Sequence, residues 1–168
     1  MYSKKEQAMK DQRVEEVRQL QTYKKLVKVF AEAMKELPPE VDLSKGGLGE
    51  LALAADLGHT LVAGDKGADA VDADGLLYEY KISTTDQFNF NFNARRDTWE
   101  ESQEIVKKHF VGIEGAWVAQ RDGMRITEKA YIPTSILLPY LLTHFSKTKG
   151  KMMNKNFRMK AFQELNNV

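Results

Sequence analysis

The stretch Asp69-Ala-Val-Asp-Ala-Asp-Gly75-Leu-Leu-Tyr-Glu79-Tyr-Lys81 decides how this chain folds. It reads as two short strands joined by a tight Gly turn. Side chains alternate across a strand, so Glu79 and Lys81 share a face. The turn decides where Asp69 goes. A two-residue Asp74-Gly75 loop pairs Ala73 with Leu76 and sets Asp69 opposite Tyr80, away from Glu79. A three-residue Ala73-Asp74-Gly75 loop, a type I turn closed by Gly in the left-handed region, pairs Asp72 with Leu76. Asp69 then lies opposite Glu79, with Val71 and Leu77 beneath. The second register is the expectation, with Ala70, Tyr78 and Tyr80 on the inward face.

Two carboxylates and a lysine on one strand face form a demanding arrangement. Close carboxylates repel, and one pKa rises unless a cation lies between them. Mg²⁺ takes a few carboxylate oxygens and keeps waters, which suits a nucleic-acid phosphate. Such a cation polarises a phosphoryl oxygen and acidifies its water. Lys81 would orient the nucleophile and stabilise developing negative charge. A Glu-x-Lys triplet alone is common on exposed hairpins; the added acid in register, the Gly turn and the apolar flanks raise it to a candidate metal site of a phosphodiesterase.

Upstream, Ser44-Lys-Gly-Gly-Leu-Gly-Glu50 leads into a helix expected over Leu48 to Leu57. No Gly-Lys-Ser/Thr follows, so this turn is not a phosphate-cradling P-loop. Glu50 reads either as a first-turn helix acid or as an additional metal ligand. Thr60 to Ala63 reads as a short strand. Residues from Lys4 to Leu37 read as a helix stopped by Pro38-Pro39. Leu20, Tyr23, Val27, Phe30, Met34 and Leu37 form a narrow apolar seam. That seam suits a two-fold dimer contact or packing on the chain's own core.

Downstream, Gln87-Phe-Asn-Phe-Asn-Phe-Asn93 alternates strictly, a strand with Phe88, Phe90 and Phe92 on one face and amides on the other. Asn is disfavoured in strands. Asn89, Asn91 and Asn93 suit bidentate pairing with adenine in the major groove, and Arg95 and Arg96 suit phosphate or guanine contact. Asp97 reads as an N-cap with Glu100 at the third helical position, for a helix to Lys108 that buries Trp99 and Val106. Gly115 to Gln120 reads as a strand, Arg121 to Met124 as a turn, Arg125 to Ile132 as a strand, and Ser135 to Phe145 as a helix. The basic tail from Ser146 reads as a solvated end with a secondary role against a nucleic-acid backbone. His59, His109 and His144 stand on different elements without metal-pair spacing and read as surface or packed histidines.

The 168 residues suffice for one domain, with 1–37 as the N-terminal helix, 44–132 as the catalytic and recognition core, and 133–168 as a C-terminal helix and tail. Net charge is +1, so any basic footprint must be local. Cysteine is absent, which excludes disulfides and thiolate metal sites. With no membrane-length apolar run and no signal-peptide pattern at Met1-Tyr-Ser-Lys-Lys, the expectation is a cytoplasmic protein without membrane association.

The stretch Gly67-Ala-Asp69-Ala-Val-Asp-Ala-Asp-Gly75 and Tyr78-Glu79-Tyr-Lys81 resembles the active-site hairpin of PvuII-like type II restriction endonucleases, within the PD-(D/E)XK nuclease superfamily. More loosely, the resemblance covers most of the chain. It implies an α/β fold with a mixed central β-sheet flanked by helices and a long N-terminal helix at a dimer contact. It further implies a Mg²⁺-dependent homodimer that cuts double-stranded DNA at a short specific site, paired functionally with a DNA methyltransferase. By motif match, Asp69 and Glu79 would be metal ligands and Lys81 the catalytic lysine. The chain departs from the pattern where Asn89, Asn91 and Asn93 replace a histidine cluster, where Lys66 replaces an acid, and in lacking the superfamily's proline. A junction resolvase or repair nickase would share the chemistry; a non-catalytic DNA-binding protein would share only the surface.

Overall fold

The computed structural model describes residues 4–33, 35, 47–62, 67–93, 96–149 and 153–166. The chain forms two compact units, Met1–Pro39 and Glu40–Val168. The first is built on one helix, α1 (Lys4–Ala33), where the absence of Gly and Pro permits 30 uninterrupted helical residues. Leu20, Val27 and Phe30 of its apolar seam are exposed. Met34, Leu37, Pro38 and Pro39, and the side chain of Tyr23, lie outside the described residues.

The second unit runs α2 (Gly47–Leu57), β1 (Thr60–Leu61), β2 (Ala70–Val71), β3 (Leu77–Ser83), β4 (Phe88–Asn91), α3 (Trp99–His109), β5 (Ile113–Asp122), β6 (Arg125–Pro133), α4 (Thr134–Ser146), β7 (Asn154–Phe157) and α5 (Met159–Leu165). The main sheet has the order β1-β2-β3-β5-β6. Only β3 and β5 pair in parallel; the other neighbours are antiparallel. This is the expected mixed α/β sheet flanked by helices. A parallel pair needs a long crossover, and the β4–α3 segment supplies it.

Alternation along β3 sorts its residues between two apolar layers. Tyr78 and Tyr80 pack with Ala70 and Ala119 against Leu53 and Ala54 of α2. On the other side Ala116, Val118 and Ile132 of the sheet meet Val106 of α3 and Leu137, Leu141 and Phe145 of α4. Leu77 packs against this second layer, so Glu79 and Lys81 share that side. No helix among the described residues is long and apolar enough to cross a membrane.

Several local expectations shift. The α3 cap falls one residue later, at Thr98, whose side chain accepts from the Glu101 N–H while Glu101 reaches back to the Thr98 N–H. β5 continues through Arg121 and Asp122, past an irregularity after Gln120, which tightens the turn to Gly123-Met124. Pro139 lies inside α4 without ending it. The largest correction concerns the tail. Beyond Ser146 the chain builds β7 and α5, and Met153, Phe157, Met159 and Phe162 are buried in the core. Its lysines had masked this apolar pattern.

The hairpin turn takes the three-residue form. Asp72 N–H donates to Leu76 O at 3.0 Å and Gly75 N–H to Asp72 O at 3.2 Å. Gly75 has φ +83°, the left-handed region that glycine enters without penalty. A Cβ there would meet nothing within 4 Å, so substitution costs only backbone strain. Gly75→Ala should therefore lower unfolding stability by about 1–2 kcal/mol, and Gly75→Asn by less, as measured by urea denaturation.

Candidate active site

The turn sets the site. Pairing of Val71 with Leu77 and of Ala70 with Tyr78 carries Asp69 to the level of Glu79. The regular ladder ends at Ala70, one residue short of direct opposition. Asp69 instead donates its N–H to Tyr78 O at 2.9 Å and accepts the Tyr80 N–H on Oδ2 at 2.6 Å. Its carboxylate thus takes the place of the next ladder bond and is held at the backbone between Glu79 and Lys81.

Glu79 is 4% exposed, among the few buried charged or polar side chains. Burying a carboxylate is costly without partners. Lys81 Nζ donates to Glu79 Oε1, and His109 Nε2 lies 3.2 Å from Glu79 Oε2. Burial pushes the Glu79 pKa up, but the His109 hydrogen bond and the Lys81 charge outweigh it and hold the group below the ordinary range. Asp69 goes the other way. Burial first, then the Glu79 charge, raise it to about 7, against the opposing pull of the Tyr80 N–H and Lys81. Lys81 also lies over the Phe90 ring, 5.7 Å from its centroid.

Glu50 falls in the first turn of α2. Its pKa is raised by burial, lowered by Lys81 and raised by Glu79. It is therefore both a first-turn acid and a charge felt at the site. Gly49 permits the close approach of α2: a Cβ there would stand 3.1 Å from Arg121 Nε and 3.2 Å from Ile82 Cγ2. Among the described residues, no group of three or more Asp, Glu, His or Cys is assembled as a metal-binding set. The donor pair Asp69 and Glu79 nevertheless fits a hard divalent cation that retains several waters. A cation there would offset the burial and the Glu79 charge that raise the Asp69 pKa.

The amide strand sits in a second sheet. β4 pairs with β7 in the register Asn89 with Asn156 and Asn91 with Asn154. All four asparagines are exposed, and Asn89 Nδ2 donates to Asn156 Oδ1 at 2.6 Å. Phe90, Phe157 and Phe162 pack together beneath them, with ring centroids 5.5–6.0 Å apart. Asn93 is exposed but beyond the strand. Arg96 is exposed just before α3, and its backbone N–H donates to Ser102 Oγ. Arg95 and Lys66 lie outside the described residues.

Three site features escaped the sequence. Asn154 and Asn156 were hidden in the basic tail, although Asn154-Lys-Asn156-Phe157 repeats the amide alternation of β4. His109 carries no local signal of this role, because only the crossover brings the end of α3 to β3. The other two histidines fit the packed reading. His59 stacks on Tyr78 at 4.8 Å with Nδ1 2.8 Å from the Tyr80 hydroxyl, and His144 sits on α4 with its pKa lowered by burial and by Lys155 and Lys147. Compared with known proteins, the chain matches no protein-family model and no curated protein.

A carboxyl with a folded pKa above its unfolded value binds its proton more tightly when folded. Stability then falls as pH rises from about 3.9 toward about 7, by up to roughly 1.4 kcal/mol per pH unit, and levels off above. Asp69→Asn removes this liability and keeps an acceptor for the Tyr80 N–H. In chelator the variant should melt above the wild type at pH 8, with the gap closing toward pH 4. An equal gap at both ends would show that Asp69 carries no such strain.

Proposed function

We propose that the chain is a Mg²⁺-dependent endonuclease that hydrolyses phosphodiester bonds of double-stranded DNA at a short specific site, with a restriction-endonuclease-like core of the PD-(D/E)XK type. One observation carries this reading: the hairpin holds the half-buried Asp69 carboxylate at the Tyr80 N–H, between the buried Glu79 carboxylate and Lys81, which itself donates to Glu79. Asp69 and Glu79 would hold the cation, with Glu50 a further acidic charge nearby. When bound, the cation would polarise a phosphoryl oxygen and make its water more acidic. Lys81 offers its ammonium group to the charge that develops on the phosphate. The imidazole and lysine donors keep Glu79 ionised before any substrate arrives.

The amide ribbon supports duplex DNA as the substrate. A two-stranded β-ribbon fits the major groove, and asparagine pairs bidentately with adenine N6 and N7. Asn89, Asn91, Asn154 and Asn156 project from one face, so the ribbon doubles the set that β4 alone supplies. Arg95 and Arg96 would add phosphate or guanine contacts, and Asn93 a flanking one. A homodimer joined through the seam of α1 would match a two-fold-symmetric target, with the enzyme acting in the cytoplasm beside a DNA methyltransferase that protects the host.

Purified protein incubated with plasmid and Mg²⁺ should yield discrete fragments. Asp69→Asn, Glu79→Gln and Lys81→Ala should each slow cleavage by about 100-fold or more while leaving salt-sensitive DNA binding in place. Full activity of Lys81→Ala would sink the residue assignment. Binding without Mg²⁺-dependent cutting would leave a non-catalytic DNA-binding protein, and preference for branched or mismatched DNA would indicate a resolvase or repair nickase.

Asn91→Ala and Asn154→Ala should each reduce cleavage of the preferred site by about 5–150-fold, the equivalent of about 1–3 kcal/mol per bidentate contact. Non-specific binding at low salt should hold. Unchanged site preference in both variants would exclude the ribbon from base reading.

A further inference from the structure

His109 is the last residue of α3, in a turn that also carries Lys107 and Lys108. Basic residues there often do no more than complement the helix dipole. The helix end is closed without the imidazole, however, since the Phe110 N–H caps the Lys107 and Lys108 carbonyls. The ring turns instead to the main sheet, where Nε2 lies 3.2 Å from Glu79 Oε2. Lys81 takes the other oxygen. Each oxygen of Glu79 therefore has its own donor, one from the same strand and one from the crossover helix.

The imidazole is itself held in place. Phe92 meets it edge-on at 5.2 Å and Phe110 at 5.1 Å. Gly67, just before the hairpin, passes so close that a Cβ would lie 3.2 Å from the His109 carbonyl oxygen and 4.0 Å from Nδ1. A ring held edge-on by Phe92 and by its own neighbour Phe110, with one nitrogen on a buried carboxylate, is placed to fix that carboxylate. Partners that orient a metal-ligating group in this way commonly govern metal affinity.

We propose that His109 is a positioning residue, whose Nε2–H fixes the orientation of the Glu79 carboxylate and so sets the affinity of the site for a divalent cation. This rests on the reading of Asp69 and Glu79 as a metal-holding pair. The imidazole acts through Glu79 and is not itself a ligand. Its aromatic support from Phe92 also ties the site to the strand that carries the amides.

The test is direct Mn²⁺ binding to the full chain, followed by electron paramagnetic resonance and titration calorimetry without DNA. His109→Ala and His109→Leu, the second of which fills the space between Phe92 and Phe110, should weaken Mn²⁺ binding by about 10–100-fold. His109→Gln, whose amide nitrogen reaches the position of Nε2, should stay close to the wild type. Melting in chelator identifies which variants are folded, and the Leu and Gln pair decides the matter if Ala does not fold. Mn²⁺ binding by His109→Leu as tight as wild type, or by His109→Gln as weak as His109→Leu, would overturn the proposal. If the wild type takes up no Mn²⁺, the metal reading of Asp69 and Glu79 falls and this proposal falls with it; that outcome is separate from wild-type binding that ignores His109.

Discussion

The site depends on one turn. Asp72 gathers the hairpin around a single carboxylate: Oδ1 accepts the N–H groups of Asp74 and Leu76, and Oδ2 accepts the Tyr78 hydroxyl. Its pKa is lowered chiefly by the Leu76 N–H. With Gly75 in the left-handed region, these bonds select the three-residue loop. A slip of one residue would exchange the two faces of the strand. Tyr78 and Tyr80 would then leave the α2 layer, and Asp69 would lose its place at the Tyr80 N–H. Register and site chemistry are thus one constraint.

Electrostatics at the site follow from burial. Glu79 remains charged because two donors from different elements meet its two oxygens. Asp69 is raised first by burial and then by the Glu79 charge, against a single backbone donor, so its carboxyl holds its proton to higher pH. The pair is divided into one settled and one strained carboxylate. Such separation of neighbouring acids is common where chemistry is done, although structural ion networks also produce it.

The second sheet joins the surface to the site through its aromatic side. Phe90 packs with Phe157 and Phe162 and carries Lys81 over its ring, while Phe92 braces His109. The amides occupy the opposite face of the same strand. One β-strand therefore contacts the solvent with one set of residues and the ionisable cluster with the next, because the side-chain period of a strand is two.

Local pattern made much of this legible. The Gly turn, the alternation of β3 and the Phe-Asn repeat of β4 each declare a strand and its faces, because backbone geometry and side-chain period act over a few residues. The end of α2 before Gly58 and the strands on either side of Gly123-Met124 were visible on the same grounds. Local pattern leaves the α3 cap open between Asp97 and Thr98, since both are competent caps, and the fold uses Thr98. What the sequence by itself determined was the Glu79–Lys81 face and the hairpin register that brings Asp69 to it. Tertiary structure alone decided that the lysine-rich tail supplies Asn154 and Asn156, and that the far end of α3 delivers His109 to Glu79. Those pairings join residues far apart in the chain, and they are set by burial of Phe157, Phe162 and Val106 in a shared core, which no local window contains.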